Sequence, residues 1–429
     1  MKPSKYNICL PYDDKYVIFN GVTKRFFLVS SKNKDTFLQI LDSPNNYQEQ
    51  YAPFLQQMAE EGFIIEDSIE ELKVIQQQYE NLNNGTTYKL MILPTYACNV
   101  NCWYCTQKHR NKKLSNNDVK RIKAHIVYYL THNDIKQLNL CWFGGEPLIN
   151  SHCIEEIATF AKTFCQEKDI EYRNTITTNG TLLNRQLLEK MKTLNFTFFQ
   201  ITIDGVKEEH DQVKVLKGTS AYETTLKNIC LIAEILPQAE ICLRYNFSMK
   251  NLKPKSFIHS LNNYLPSNVR NRIKLSIMKI WQEDERNIDG STIDDLVEIA
   301  SQNGYVANVG SGFCVCYVDS HHFNCIFPNG MVDKCNNNDF IECRGIIAES
   351  GVIEWKQEPT FFNYNVFSHH NECYSCQYLP ICYGPCPKER ELSSKDQAPL
   401  SCRYNDKNRI WKYNVLHFCK QELRKNNII

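Results

Sequence analysis

The chain has 429 residues, which is enough for two or three domains with a sizeable core. Its formal net charge of +1 gives no overall attraction to nucleic acid or to an anionic membrane surface. No apolar run approaches the roughly 18 residues that a membrane helix needs, and none follows the first residues as in a signal peptide. We therefore expect a cytoplasmic protein that has neither nucleic acid nor a membrane as a partner.

Residues 1–84 are predicted to form a small α+β domain. Its predicted elements are a hairpin of Tyr16–Phe19 and Phe26–Val29, helices around Thr36–Leu41 and Tyr47–Glu61, and a short strand at Phe63–Ile65. Gly62 is placed to end the second helix as a C-terminal cap. A polar run that ends at Gly85 marks the domain boundary.

Between residues 85 and 300, short apolar strands alternate with segments of helical length. The predicted strands are Lys89–Leu93, Leu138–Phe143, Tyr172–Thr178, Phe198–Ile203, Ile241–Asn246 and Ile273–Ile280, and helices include Asp118–Leu130, Cys153–Glu167 and Arg185–Leu194. Such alternation indicates parallel strands joined by right-handed crossovers. Six units in about 200 residues favour an α/β fold of the partial (β/α)6, TIM-like barrel type over a complete eightfold barrel.

The twenty cysteines are unevenly placed, because only Cys9 precedes Cys98 whereas eleven lie between Cys314 and Cys419. A reducing compartment disfavours a disulfide framework, so clustered cysteines indicate metal or catalytic ligands. Residues 301–429 are also rich in Gly, Pro, Asn and His, which predicts a loop-rich module stabilised by metal and closed by a helix at Asp406–Lys425. Isolated cysteines such as Cys153 fit small buried apolar residues.

The spacing CxxxCxxC at Cys98, Cys102 and Cys105 directly follows the first predicted barrel strand. Three thiolates on one tight loop can bind three irons of a 4Fe–4S cube and leave a fourth iron open. Zinc is the alternative, although structural zinc sites favour CxxC pairs and four closed ligands. The loop lies on the face where barrel active sites are built.

The next strand ends in the sequence Gly144-Gly145-Glu146-Pro147. Two glycines allow close approach of a ligand, and the carboxylate can accept a hydrogen bond from an ammonium group, although a tight turn entering a helix would look the same. Together with the cysteine triplet, this motif resembles those of the radical S-adenosylmethionine (SAM) enzymes, over roughly Lys89–Ile280. In that family the GGEP motif holds the methionine amino group.

The resemblance implies further contacts to SAM at the strand ends. Each polar residue among them could instead be a cap, a turn or a surface group, and Tyr104 could instead shield the cluster or fill the core. The expected contacts are Tyr104, Thr178, Asn179, Thr202, Lys214 and Arg244, in addition to Gly144, Gly145 and Glu146. Tyr104 is placed to pack against a cofactor ring, and Asn179 belongs to a TNG element that contacts the ribose. Thr202 replaces the serine of a Ser-x-Asp-Gly motif. Lys214 stands where relatives often carry arginine, so a carboxylate contact there would be less directional.

The C-terminal cysteines resemble the SPASM domain, which binds auxiliary 4Fe–4S clusters in maturases of peptides and proteins. The resemblance assigns one cluster to Cys373, Cys376, Cys382 and Cys402, and the other to Cys316, Cys335 and Cys386, with Cys314 as a rival or partner of Cys316 and with Cys325 and Cys343 as alternatives. Zinc is again the competing metal, because tetrahedral thiolate sites suit both.

These resemblances imply an enzyme that uses SAM and three 4Fe–4S clusters, one on the SAM-binding loop and two auxiliary. The leading prediction is a maturase that abstracts hydrogen from a ribosomally made peptide and installs a crosslink or a related modification, with an electron donor such as a flavodoxin or ferredoxin. The first alternative is an oxidoreductase acting on a protein side chain, as in anaerobic sulfatase maturation. The second is a non-catalytic metal-binding adaptor.

Two observations weigh on these alternatives. Sulfatase-maturing relatives carry an acidic base directly after the cysteine aligned with Cys335, where this chain has Asn336, so Asp333 or Asp339 would have to replace it. The order of elements in residues 1–84 resembles the peptide-recognition domain of such maturases. A winged-helix DNA binder shares that order, but eight Lys and Arg against twelve Asp and Glu give a net charge of −4, which opposes DNA binding. A cover for the barrel is the remaining alternative.

Overall fold

The computed structural model of the protein describes residues 1–283, 290–309, 313, 315–337, 343–357, 365–368, 371–395, 402 and 407–425. The chain forms two compact units. We call Gly85–Gly310 with Ser320–Pro359 the central unit, and Met1–Asn84 with Ser311–Asp319 and Thr360–Ile429 the terminal unit. The division into three domains at residues 84 and 300 stays a prediction.

Strands and helices are numbered in chain order over the described residues. The strands are β1 (Lys2–Pro3), β2 (Asn7–Tyr12), β3 (Lys15–Asn20), β4 (Phe26–Ser30), β5 (Ile64–Ile65), β6 (Thr87–Ile92), β7 (Gln137–Trp142), β8 (Glu171–Thr178), β9 (Phe196–Ile203), β10 (Glu240–Phe247), β11 (Ile273–Lys279), β12 (Val306–Val309), β13 (Phe323–Ile326), β14 (Met331–Asp333), β15 (Gly345–Ile347) and β16 (Ile353–Trp355). The helices are α1 (Lys34–Asp42), α2 (Gln48–Glu60), α3 (Glu71–Asn83), α4 (Asn116–His132), α5 (Ser151–Glu167), α6 (Arg185–Thr193), α7 (Lys207–Val213), α8 (Ala221–Ile235), α9 (Pro254–Asn262), α10 (Ser267–Arg270), α11 (Gly290–Gln302), α12 (Leu379–Cys382), α13 (Pro387–Lys395) and α14 (Lys407–Lys425).

The central unit is built on a sheet whose strands follow the order β12-β11-β10-β9-β8-β7-β6-β13-β14-β15-β16. Strands β6 to β12 run parallel to their neighbours, and β13 runs parallel to β6. The predicted α/β architecture is confirmed, and all six predicted strands are present as β6 to β11. The parallel sheet also continues into β12, beyond residue 300. A strand of four residues is too short for its side-chain periodicity to be recognised.

Parallel strands bring their carboxyl ends to one edge of a sheet, where barrel-type enzymes build their active sites. In the central unit, the loops after β6, β7, β8, β9 and β10 therefore meet at this edge. The strands are anchored beneath it by fully buried apolar side chains, including Leu90, Leu140, Ile201 and Leu243. Burying one such side chain contributes about 1.5–3 kcal/mol, so the edge rests on a stable support.

The terminal unit contains an antiparallel three-stranded sheet in the order β2-β3-β4, and β1 pairs with β5. The predicted hairpin is confirmed as β3 and β4. Gly62 ends α2 as predicted, with φ +80° and its N–H donating to the carbonyl of Ala59. Strand β2 is not predicted from the sequence, because Pro11 within it argues against a strand. Proline is tolerated there because β2 is an edge strand.

Both faces of this three-stranded sheet are covered. On one face, side chains such as Ile18 and Val29 pack against α1 and α2. On the other face, Val17 and Phe19 pack against residues from the C-terminal end of the chain, which include Tyr378, Ile381, Trp411, Val415 and Cys419. The predicted closing helix is confirmed as α14, and it completes the core of a sheet formed by residues 7–30.

None of the helices in the described ranges has both the length and the apolar character that crossing a bilayer requires.

Replacing Trp411 by Ala should loosen the three-stranded sheet. Trp411 is 4% exposed and packs in the core beneath β2 and β3. Large-to-small replacements in a core cost about 3–5 kcal/mol. Hydrogen exchange of the β2 and β3 amides should therefore accelerate, while the amides of β10 keep their protection. Trp281→Ala is the control, because that side chain is 71% exposed. Equal exchange of β2 in both variants would contradict the packing.

Candidate functional site

The CxxxCxxC triplet lies on a long loop between β6 and α4, residues 93–115, which we call the cysteine loop. The loop folds back onto its own start. The N–H of Tyr96 donates to the carbonyl of Lys112 at 2.9 Å, and Thr95 forms an antiparallel bridge with Lys113. The N–H of Cys105 donates to the carbonyl of Cys102 at 3.0 Å, which closes a turn around the last two thiols.

Gly144 and Gly145 pack directly against the backbone of the cysteine loop. A Cβ atom at Gly145 would lie 2.4 Å from the carbonyl oxygen of Ala97, and one at Gly144 would lie 2.5 Å from that of Thr95. Gly144 also has φ +126°, a conformation that side chains disfavour. The contact is further stabilised by a hydrogen bond from the N–H of Glu146 to the carbonyl of Ala97 at 2.9 Å. Only glycine allows this approach at both positions.

Glu146 is completely buried at the end of β7. Its carboxylate accepts hydrogen bonds from the hydroxyl of Thr178 and the N–H of Asn179, each at 2.8 Å, and from the N–H of Leu148 at 3.1 Å. Burial raises the pKa of Glu146 to about 7, although these three donors favour the charged form. A carboxylate has about four acceptor positions, and these donors use three of them.

The end of β8 is joined to the cysteine loop through Asn179. Its side-chain amide donates to Asn99 at 2.8 Å and lies 3.9 Å from the sulfur of Cys98. Asn99 in turn donates to the hydroxyl of Thr181 at 2.9 Å. The structure therefore brings together the predicted residues Cys98, Glu146 and Asn179 at the ends of three neighbouring strands.

A second polar cluster centres on Asp204, at the end of β9. The ammonium of Lys214 and the hydroxyl of Tyr104 both contact its carboxylate, and Asp204 and Lys214 are 1% and 2% exposed. Asn246, at the end of β10, donates to the Tyr104 hydroxyl at 3.1 Å. Burial lowers the pKa of His210 well below its usual range, which keeps the ring neutral and able to accept the Asp204 N–H.

Thr202 and Arg244 are register partners on β9 and β10, so their side chains lie on one face of the sheet. The Nε of Arg244 donates to the side chain of Asn246 at 2.9 Å, which connects it to the cluster around Asp204. Thr202 and Lys214 were predicted from the sequence as site residues, whereas Asp204 was not predicted as the centre of this cluster. The recognisable signal was a strand-end aspartate followed ten residues later by a lysine.

The thiols of the cysteine loop are protonated at neutral pH when no metal is bound. Burial raises the pKa of Cys98 and Cys105, and it raises that of Cys102 to about 11. The nearby Lys214 ammonium acts in the opposite direction on Cys102 and Cys105. Metal binding must therefore displace protons from the loop, and Lys214 lowers the cost of forming thiolates.

Two cavities adjoin the loop. One of about 300 Å³ is lined by residues that include Trp103, Tyr104, Asp204 and Asn246. Another of about 380 Å³ lies against Cys98, Asn99 and His109. In the described parts of the chain, no three His, Cys, Asp or Glu side chains surround a single metal ion. A cube does not require such a group, because each thiolate binds a different iron. The donor set fits a cube with an adjoining ammonium-bearing ligand.

The predicted auxiliary ligands fall in both units. In the terminal unit, four of these thiols lie close together, those of Cys373, Cys376, Cys382 and Cys402. Burial raises the pKa of Cys373 to about 12, and the other three thiols are near enough to raise it further by charge repulsion. Cys316 and Cys386 also belong to this unit. In the central unit, burial raises the pKa of Cys325 well above its usual range, and Cys335 and Cys343 add to the effect. Cys335 is thus grouped with the two alternatives, and Cys314 lies outside the described residues.

Comparison with known proteins identifies the central part of the chain. Residues 92–248 match the Radical SAM superfamily. The radical SAM cyclopropyl synthase TigE of Paramaledivibacter caminithermalis is 21% identical, over 88% of this chain and 84% of TigE. A serine-type anaerobic sulfatase-maturating enzyme of Bacteroides thetaiotaomicron is 23% identical, over 73% of this chain and 88% of that enzyme. An uncharacterized protein of Methanocaldococcus jannaschii is 34% identical, but the match spans only 48% of its length.

Solved structures share the fold. The enzyme anSMEcpe with bound AdoMet aligns with a TM-score of 0.57 and 15% identity, over 80% of this chain and 100% of that one. SuiB of Streptococcus suis aligns with a TM-score of 0.50 and 14% identity, over 94% and 99%. Members of the superfamily use SAM and a 4Fe–4S cluster. The chain therefore contains, at residues 92–248, a segment that matches the Radical SAM superfamily, and it is an enzyme.

Proposed function

We propose that this enzyme is a peptide maturase that binds SAM and a 4Fe–4S cluster at the cysteine loop. The observation that carries the proposal is the joining of Cys98, Glu146 and Asn179 at three adjacent strand ends, with Cys98 lining a cavity of about 380 Å³. The reduced cluster would supply one electron to SAM, giving methionine and a 5′-deoxyadenosyl radical that takes hydrogen from an unactivated carbon of the peptide.

The protein contributes orientation and charge. Glu146 would accept a hydrogen bond from the SAM ammonium group at its fourth acceptor position, and its three protein donors fix the direction of the carboxylate. Asp204 and Asn246 restrain the hydroxyl of Tyr104, so the ring has one fixed orientation at the wall of the cavity. A restrained ring loses little side-chain entropy when it packs against a cofactor.

The terminal unit supports a peptide as the substrate. Over the described residues, β4 pairs only with β3, so its outer N–H and C=O groups form an open sheet edge. The opposite edge, β2, contains Pro11, which lacks an N–H. An extended leader segment would therefore add to β4 by strand pairing. SuiB, which shares the fold, has been solved bound to its precursor peptide SuiA.

Sulfatase maturation is the second candidate, favoured by the match to the Bacteroides enzyme. It would need a base near Cys335. Asp333 does not suit this role, because it is buried and paired with Arg344 at 2.7 Å and 3.2 Å through two guanidinium nitrogens. Asn336 cannot take up a proton, and Asp339 lies outside the described residues. Neither Asp333 nor Asn336 can therefore serve as the base that sulfatase maturation requires. Peptide maturation is the better candidate.

The proposal includes two auxiliary 4Fe–4S clusters, one of them on Cys373, Cys376, Cys382 and Cys402. The proximity of these four thiols supports that assignment. The proposal further includes a flavodoxin or ferredoxin as the electron donor and a cytoplasmic location, because reduced clusters and many free thiols suit a reducing compartment.

Replacing Cys98, Cys102 and Cys105 together by Ala should abolish SAM cleavage. Without these thiolates the cluster has no ligands on the cysteine loop. Anaerobic reconstitution with dithionite and SAM, followed by chromatographic measurement of 5′-deoxyadenosine, should show only the background of the reaction without protein. Cys230→Ala, a thiol on α8, is the matched control and should retain activity. Product formation by the triple variant at the wild-type rate would refute the proposal.

The affinity for SAM should rise with pH through the pKa of Glu146. With a pKa of about 7, the carboxylate is about one-tenth ionised at pH 6 and about nine-tenths at pH 8, so affinity should rise up to roughly tenfold. Glu146→Gln should bind weakly and without this pH dependence in titration calorimetry, whereas the exposed control Glu171→Gln should behave as the wild type. A pH-independent wild type would exclude Glu146 as the ammonium acceptor.

The raised pKa of Glu146 affects folding stability in the opposite direction to SAM affinity: stability falls as the pH rises. Because the pKa in the folded state lies above the ordinary value of 4.5, the folded protein binds more protons than the unfolded chain between about pH 4.5 and 7. The contribution of Glu146 to stability is therefore greatest below pH 4.5 and falls as the pH rises to 7. Above pH 7 it is constant.

The substrate class can be tested directly by mass spectrometry. Short peptides encoded in neighbouring reading frames should lose two hydrogen atoms, about 2 Da, when they are incubated anaerobically with the enzyme, SAM and reductant, if an oxidative crosslink forms. An isomerising reaction such as epimerisation would instead incorporate deuterium from D₂O. A sulfatase-derived peptide oxidised in place of these peptides would establish the second candidate.

A further inference from the structure

Within the terminal unit, the segment 373–382 carries three of the four thiols that lie together. Cys373 lies in a 3-10 helix at Glu372–Ser375, and Cys382 ends α12. The N–H of Cys376 donates to the carbonyl of Cys373 at 3.0 Å. The fourth thiol, Cys402, is attached by its own N–H, which donates to the carboxylate of Glu372. We call residues 373–382 the ligand segment.

The ligand segment is held between apolar surfaces supplied by residues 1–84. Its Tyr378 and Ile381 pack in the core that contains Val17 and Phe19 of β3. Its Leu379 packs in a second core with Tyr6, Ile75 and Tyr79. The N-terminal part of the chain therefore forms the immediate surroundings of the segment, and not only a peptide-binding sheet.

Two lysines from the N-terminal part donate hydrogen bonds to carbonyls of the ligand segment. Lys24 donates to the carbonyl of Pro380 at 2.7 Å, and Lys5 donates to that of Tyr374 at 2.6 Å. Tyr374 lies between Cys373 and Cys376, and Pro380 lies between Cys376 and Cys382. Each ammonium group is thus attached to backbone between two adjacent thiols.

The placement of Lys24 is specific. It adopts φ +59°, a left-handed conformation that is uncommon for residues other than glycine. Among the described contacts of its ammonium there is no carboxylate: it also donates to the carbonyl of Gly21 and lies 5.9 Å from the ring centroid of Phe313. Lys24 is half-buried, whereas Lys5 is exposed. Acidic groups also lie in this region: Glu71 accepts the backbone N–H of Lys5, and Glu372 accepts that of Cys402.

We propose that Lys24 and, more weakly, Lys5 raise the reduction potential of the iron–sulfur centre on Cys373, Cys376, Cys382 and Cys402 by placing positive charge against the segment that carries three of its ligands. This inference rests on the auxiliary centre included in the proposed function. Reduction adds one electron to a centre that four thiolates already make negative, so a nearby cation favours the reduced form. A residue acting in this way is a positioning and tuning residue, not a catalytic one.

The test uses full-length protein in which Cys98, Cys102 and Cys105 are replaced by Ala, so that only auxiliary centres contribute to the signal. In this background Lys24→Met removes the charge and approximately retains the length of the side chain. After anaerobic reconstitution, iron and sulfide are counted, and the reduced signal is followed by electron paramagnetic resonance during a redox titration. Cys373→Ala with Cys376→Ala identifies the signal that belongs to this centre.

In Lys24→Met the ratio of reduced to oxidised centre at a fixed potential should fall about tenfold, which corresponds to about 59 mV for a one-electron couple. Lys24→Arg keeps the charge and should stay close to the wild type. Lys5→Met should shift the midpoint in the same direction by less, because water and salt screen an exposed charge. Lys32→Met, an exposed lysine on the same unit, should leave the midpoint unchanged.

Unchanged midpoints in both Lys24→Met and Lys5→Met would overturn the inference while the auxiliary centre itself still stands. If Lys24→Met does not fold, as judged by hydrogen exchange of β3 and β4, Lys5→Met decides the matter alone. The cysteine variant distinguishes failure of this inference from failure of the auxiliary-centre assignment. If Cys373→Ala with Cys376→Ala removes neither iron nor signal, no centre is present there, and both the auxiliary assignment and the inference fail.

Discussion

The site depends on one backbone contact, the approach of Gly144 and Gly145 to the carbonyls of Thr95 and Ala97. It fixes the cysteine loop against the end of β7, and it does so with peptide groups, whose positions vary less than those of long side chains. This contact also sets the position of the residues that follow the glycines. Glu146 follows directly after the glycines, and its carboxylate then reaches the N–H of Asn179 at the end of β8.

The second polar cluster extends the same arrangement to β9 and β10. A buried ion pair is costly when either partner is left alone, so Asp204 and Lys214 depend on each other. The hydroxyl of Tyr104 also donates to the carboxylate of Asp204, which links the last part of the cysteine loop to these strand ends. A loop of more than twenty residues is thereby restrained near Cys98 and near Tyr104.

The parts of the site that could be predicted from the sequence are those written in short, contiguous motifs. Cys98, Cys102, Cys105 and the GGEP turn are recognisable because their spacing is set by local backbone geometry. Asp204 was not predicted as the centre of the second cluster, since its contact with Tyr104, 100 positions away along the chain, forms only in the folded structure. Strand β2 was missed because Pro11 is acceptable only at a sheet edge, and nothing local in the sequence shows that β2 is an edge.

The coverage of the N-terminal sheet by α14 could not be foreseen either, because the continuous apolar run Tyr16–Phe19 of β3 indicates that both faces are buried but not what covers them. This coverage has a consequence for biosynthesis. As the chain emerges from the ribosome, the strands made first expose Val17 and Phe19 until the last helix has been translated. The earliest segment to be synthesised is thus among the last to complete its packing.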